Sequence, residues 1–160
     1  MKILAIDTAT EACSAALHSN GMTTTKYEVA PRKHAELILT MVDELLSESG
    51  LLLTQLDALA FGCGPGAFTG IRIATGIVQG LAMSADLPVV PVSTLAALAQ
   101  GAISESKQVA CAIDARMGEV YWALYQADES KIMQLVGKEN VCLPDSVNIP
   151  NSGSWFGVGS

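Results

Sequence analysis

The chain has 160 residues, half of them hydrophobic and 16% charged, with a formal net charge of −7. That is enough apolar material for one or two small domains with packed cores. An acidic chain has no field that draws a phosphate backbone unaided, which argues against a stand-alone nucleic-acid-binding module.

The chain opens with MKILAIDT, an apolar run that Asp7 ends too soon for a signal peptide. It reads as a strand over Lys2 to Asp7. Ala12 to His18 and Met22 to Val29 read as two more strands, joined by the hairpin signal Ser19-Asn20-Gly21. Pro31 is expected to open a helix, because its missing N–H is no loss at a first helical position. Ala35, Ile38, Leu39, Val42, Leu45 and Leu46 follow at helical spacing, and Gly50 stops it. Thr54-Gln55-Leu56-Asp57 resembles a capping box opening a single turn. Ala58 to Phe61 reads as a buried strand, Ile71 to Met83 as a helix, and Leu87 to Val92 as a strand whose two prolines place it near a sheet edge. Ser93 caps a further helix, TLAALAQGA.

The order is three strands, then helix–strand–helix–strand–helix. The alternation implies parallel strands covered by helices, and the whole order is that of the ribonuclease H-like unit. The pattern then returns: Ala5-Ile6-Asp7-Thr8 recurs as Ala112-Ile113-Asp114-Ala115, and Trp155-Phe156-Gly157-Val158-Gly159 echoes Leu59 to Cys63. A period this long means a duplication rather than a solenoid, whose repeats run to roughly 20–50 residues. The expected domains are a first lobe over 1–104 and the start of a second, incomplete lobe over 105–160. The second copy stops where its helix should begin, so the native protein is expected to continue beyond Ser160.

The longest uncharged run, Leu87 to Ser104, is broken by Pro88, Pro91 and a Ser-Thr pair, which argues against a membrane-spanning helix. Cys13, Cys63, Cys111 and Cys142 lie far apart in apolar segments and form no Cys-x-x-Cys pair. They read as buried, reduced thiols of a cytoplasmic protein.

The stretch Phe61 to Arg72, FGCGPGAFTGIR, is the most unusual in the chain. It lacks the lysine of a Walker A loop. It also misses the dinucleotide pattern Gly-x-Gly-x-x-Gly by one residue, since Gly66 is followed by Ala-Phe-Thr before Gly70. It still leads to a helix N-terminus, whose free N–H groups favour an anion. In the helix beyond, Gly76 and Gly80 each lose roughly 1 kcal/mol of helix stability relative to alanine. A stripe of small residues lets another backbone approach, either within the domain or from another subunit. Arg72, the only Lys or Arg between Lys33 and Lys107, either snorkels to the surface or pairs with a carboxylate or phosphate.

Taken in order, MKILAIDTAT, GPGAFTGIRIATGIVQGLA, PVSTLAAL and DARMGEVYWALY resemble the bacterial TsaB (YeaZ) family, from Met1 to about Tyr125. The resemblance implies a duplicated actin-like ATPase (ASKHA) fold and a role in making threonylcarbamoyladenosine in transfer RNA, next to the anticodon. It implies a non-catalytic subunit that supports a catalytic paralogue, TsaD, with the ATPase TsaE as a further partner and transfer RNA met only through the complex. The paralogue's His-x-x-x-His metal motif falls here on Thr94 and Leu98, neither of which replaces imidazole, so no metal is expected. His18 and His34 read as surface histidines. Asp7, Thr8, Thr10 and Glu11 occupy the loop that faces the nucleotide in actin-like folds. ATP or ADP with magnesium is therefore expected, if at all, at the level of the complex. Asp114 is the pseudo-symmetric mate of Asp7 and is expected to bond its own turn.

The helix from Pro31 to Ser49 has a wide apolar arc, extended by Leu37 and Met41. With Arg72, Gly76 and Gly80 these are the expected interface residues, and in isolation the same surface is expected to pair with itself as a dimer. The alternative is a stand-alone ATP-binding hydrolase or peptidase of the actin-like superfamily.

Overall fold

In the computed structural model, which describes residues 1–150 and 153–159, the chain divides into two compact units, Met1–Val92 and Ser93–Ser160. The first holds β1 (Ile3–Asp7), β2 (Ala12–Ser19), β3 (Met22–Val29), α1 (His34–Ser49), β4 (Ala58–Gly64), α2 (Phe68–Ala85) and β5 (Val89–Ser93). Its sheet runs β3-β2-β1-β4-β5. β1 is antiparallel to β2 and parallel to β4. This is the ribonuclease H-like order.

Alternation along the strands decides which face is covered. Leu4 and Ile6 of β1, with Cys13, Ala15 and Leu17 of β2, point to one side and are buried against Ile38, Met41, Val42 and Leu45 of α1 and Ala74 and Val78 of α2. Ile38 is fully enclosed, and burial of such a side chain stabilises by roughly 1.5–3 kcal/mol. β3 is exposed along nearly its whole length. Lys26 ties it to α1 through Glu48 (2.6 Å) and Glu44 (3.1 Å). β5 closes the other edge, where Pro88 and Pro91 leave no ladder donor to lose.

Several boundaries differ from expectation. α1 starts at His34 rather than Pro31: Pro31 and Arg32 form a turn, with Arg32 at φ 71° and the Lys33 N–H donating to the Ala30 carbonyl (3.0 Å). The turn expected at Thr54–Asp57 is a 3-10 turn over Leu53–Gln55, and Gln55 rather than Asp57 closes it, accepting the Leu52 N–H (2.8 Å). Asp57 instead accepts the Lys2 N–H (2.6 Å). β4 runs on to Gly64, and α2 begins three residues early, at Phe68.

The second unit holds α3 (Thr94–Gly101), β6 (Gln108–Arg116), β7 (Glu119–Ala127), β8 (Met133–Cys142) and β9 (Phe156–Gly159), in the sheet order β8-β7-β6-β9. β6 pairs antiparallel with β7 and parallel with β9, as β1 does with β2 and β4. The duplication read from the sequence is thus repeated in strand pairing. The units meet at Val92/Ser93, not at 104/105, because α3 belongs to the second core. Its Leu95 and Ala99 pack with Val109, Cys111 and Ile113 of β6 and Tyr125 of β7. Ser93 caps α3 as expected, accepting the Ala96 N–H (3.3 Å). β8, which sequence reasoning passed over, completes a second three-strand meander.

Candidate functional site

The glycine stretch lies against the turn between β1 and β2. A Cβ on Gly62 would overlap the Asp7 carboxylate, one on Gly66 the Ala9 carbonyl oxygen, and one on Gly70 the Thr8 carbonyl oxygen. Two hydrogen bonds fix the approach: the Ala67 N–H donates to the Ala9 carbonyl (2.7 Å), and the buried Thr8 hydroxyl to the Gly70 carbonyl (2.7 Å). The Gly64–Pro65 peptide is cis. Gly66 and Gly70 therefore pack one backbone against another, while Gly62 makes room for a carboxylate. A phosphate reading of the stretch requires none of these three contacts.

The residues expected at the nucleotide loop separate. Thr8 is fully buried and committed to Gly70. Asp7 is partly buried, and its Oδ1 accepts the Ala9 N–H (2.7 Å). Burial pushes its carboxyl up, while the Ala9 bond and nearby His34 act the other way. Thr10 is partly exposed, its hydroxyl accepting the Ala12 N–H at 3.4 Å, and Glu11 is exposed. Asp114 repeats the Asp7 turn, accepting the Arg116 N–H (2.7 Å), as expected of the second copy. His34 is not a surface histidine: it is buried, and its Nε2 has no hydrogen-bond partner. His18 shares a hydrogen bond with Thr23 (2.9 Å).

Thr94 and Leu98 lie on α3, with Thr94 buried and Leu98 packed against the second core. Cys13 and Cys111 are buried as expected, but Cys63, at the end of β4, is exposed, and Cys142 is intermediate.

The expected interface residues also divide. Met41 is 7% exposed and belongs to the first core, and Leu37 packs against it. Neither extends an apolar docking arc, because both are taken up by the first core. Gly76 and Gly80 behave otherwise. Both are exposed, and a Cβ on either would meet nothing within 4 Å. Close packing within the unit does not explain them. They lie on the outer face of α2 with Phe68, Arg72 and Met83, at intervals of three or four residues. Phe68 and Met83 are 68% and 86% exposed. The Arg72 guanidinium stacks over the Phe68 ring, 3.8 Å from its centroid. Sequence reasoning missed Phe68 and Met83, although the four-residue spacing of Phe68, Arg72, Gly76 and Gly80 was there to be read.

No helix among the described residues is long and apolar enough to cross a membrane. The family model described as "TsaD: tRNA N6-adenosine threonylcarbamoyltransferase" matches residues 20–154. The TsaB protein of Escherichia coli (strain K12), described as a tRNA threonylcarbamoyladenosine biosynthesis protein, is 52% identical over all of this chain and 71% of its own length. The Haemophilus influenzae protein of the same name is 46% identical over all of this chain and 72% of its own. The solved structure titled YeaZ from Pseudomonas aeruginosa superposes with a TM-score of 0.95 at 52% identity, over 99% of this chain and 75% of that one.

Proposed function

The chain belongs to the TsaB family of tRNA threonylcarbamoyladenosine biosynthesis proteins, and on that premise we propose that it is a non-catalytic subunit that docks to and supports the catalytic paralogue TsaD. One observation carries this reading: the outer face of α2, where open glycines lie between Phe68 and Arg72 on one side and Met83 on the other. A helix loses stability at each interior glycine, so a stripe of them with nothing of its own unit above it needs another account. A partner backbone approaching closely supplies one, and the flanking apolar side chains supply area to bury. Thr94 and Leu98, in place of imidazoles, agree with chemistry performed by the partner. Transfer RNA, which a chain of net charge −7 repels, is then met through the complex, alongside TsaE, in the cytoplasm.

Analytical ultracentrifugation of the chain alone and mixed with TsaD tests this. A one-to-one complex replacing a self-dimer is expected. Gly76→Leu with Gly80→Leu should abolish both forms of pairing while the monomer stays soluble. Pairing that survives the double substitution places the interface elsewhere.

Asp7 favours a second reading, ATP or ADP binding with magnesium. A carboxyl raised by burial at the C-terminal end of a parallel strand sits where α/β sheets take ligands. Calorimetric titration of ATP into the unaltered chain and into Asp7→Asn, with and without TsaD, decides it. Equal heats from both proteins would remove Asp7 from any nucleotide site.

A further inference from the structure

A site of a different kind lies in the second unit, independent of both α2 and Asp7. Trp122 of β7 pairs with Asn140 of β8, and Leu124 with Val136, so positions 137 to 139 stand opposite Ala123 alone. Gly137, at φ 86°, takes the left-handed conformation this bulge needs. The bulge sorts its side chains. Glu139 turns toward α3, accepting hydrogen bonds from the Tyr125 hydroxyl (2.6 Å) and the Ser93 hydroxyl. The opposite side opens into a cavity of about 350 Å³. That volume falls within the roughly 300–1,000 Å³ of small-molecule sites.

Trp122, Leu124 and Val136 form its apolar wall, and Lys138, Asn140 and Asn148 its polar side. Asn140 is held in place, its side-chain amide donating to the Lys138 carbonyl (3.0 Å). Among the described residues no acidic side chain lines the cavity, although the chain as a whole has a net charge of −7. An indole offers a stacking surface to a planar ring, side-chain amides read a ring's polar edge, and an ammonium takes an anion. We propose that this cavity binds a purine nucleoside monophosphate: a planar heteroaromatic ring against Trp122, with its anionic group at Lys138. A free nucleotide and a nucleotide within a single-stranded RNA share that chemistry.

Titration of the ¹⁵N-labelled chain with AMP, followed by amide and indole NMR resonances, tests the assignment. The Trp122 indole and the amides of Gly137, Lys138 and Asn140 should shift together and saturate. Adenosine, lacking the phosphate, should bind about ten-fold more weakly, and the exposed substitution Lys138→Glu should weaken AMP by at least about as much while leaving the rest of the spectrum in place. A short oligoadenylate is the second arm. If it moves the same resonances at lower concentration than AMP, the site serves an RNA-borne nucleotide; if AMP binds more tightly, it serves a free one. Resonances unmoved by millimolar AMP and by the oligonucleotide overturn the proposal. So does AMP binding that Lys138→Glu leaves unchanged.

Discussion

Replacing Gly70 by alanine should unfold the first unit far more readily than its modest chemistry suggests. Gly70 lies in the first turn of α2, and an added Cβ would fall well inside contact distance of the Thr8 carbonyl oxygen. That atom is backbone, held in β1's exit turn by the Ala9 and Ala67 hydrogen bonds, so it cannot swing aside. Forcing a methyl into such a contact destabilises by about 1–3 kcal/mol. Separating the two segments also breaks the buried bond from the Thr8 hydroxyl to the Gly70 carbonyl (2.7 Å), leaving a buried donor unmet at about 1–3 kcal/mol. Alanine's helix preference returns about 1 kcal/mol. The net loss is therefore about 1–5 kcal/mol. Urea unfolding resolves where it falls. The chain's two tryptophans, Trp122 and Trp155, both lie in the second unit, so far-UV circular dichroism should show an early first transition while tryptophan emission keeps its midpoint. A dichroism midpoint equal to that of the unaltered chain would refute the close approach of Gly70 to Thr8.

The other helical glycines should respond with the opposite sign. Gly76→Ala and Gly80→Ala meet open space, so each should stabilise the isolated chain by up to about 1 kcal/mol while weakening pairing with TsaD; lower stability would mean the stripe packs within its own unit. Asp7 has its carboxyl raised mainly by burial, so the ionised form opposes folding: its stabilisation is full below the unfolded-state value and is lost as pH rises through the folded one. Asp7→Asn, which keeps an acceptor for the Ala9 N–H, should raise the melting temperature near neutral pH and lose that advantage as pH falls through the carboxylate range. Parallel melting curves for the two proteins would contradict it. Among the thiols, burial first and Glu139 second push Cys111 up to about 12, and burial raises Cys13, whereas Cys63 is exposed. Maleimide should label Cys63 first and reach Cys13 and Cys111 only in denaturant, as peptide mapping would show. Labelling of Cys111 at the rate of Cys63 would overturn that order.

Much of the architecture was legible locally. Asn20-Gly21 has the backbone freedom a hairpin turn demands, Gly50 the left-handed conformation that ends α1, and Ser93 the hydroxyl that caps α3. The recurrence of Ala5-Ile6-Asp7 as Ala112-Ile113-Asp114 foretold repeated strand pairing and a repeated Asp turn. β8 escaped notice because its bulge at Gly137 breaks the two-residue alternation by which strands are recognised.

The sequence by itself determined the elements of the first unit and their order, the duplication and the family, because capping, turn chemistry and apolar periodicity act over a few residues. Only the tertiary structure decided that α3 belongs to the second unit, that Met41 is core rather than interface, and that Gly70 faces a carbonyl oxygen while Gly76 faces open space. A glycine looks the same in any sequence. What its missing Cβ admits depends on which distant segment crosses it, and here Gly70 lies 62 positions from the Thr8 it meets.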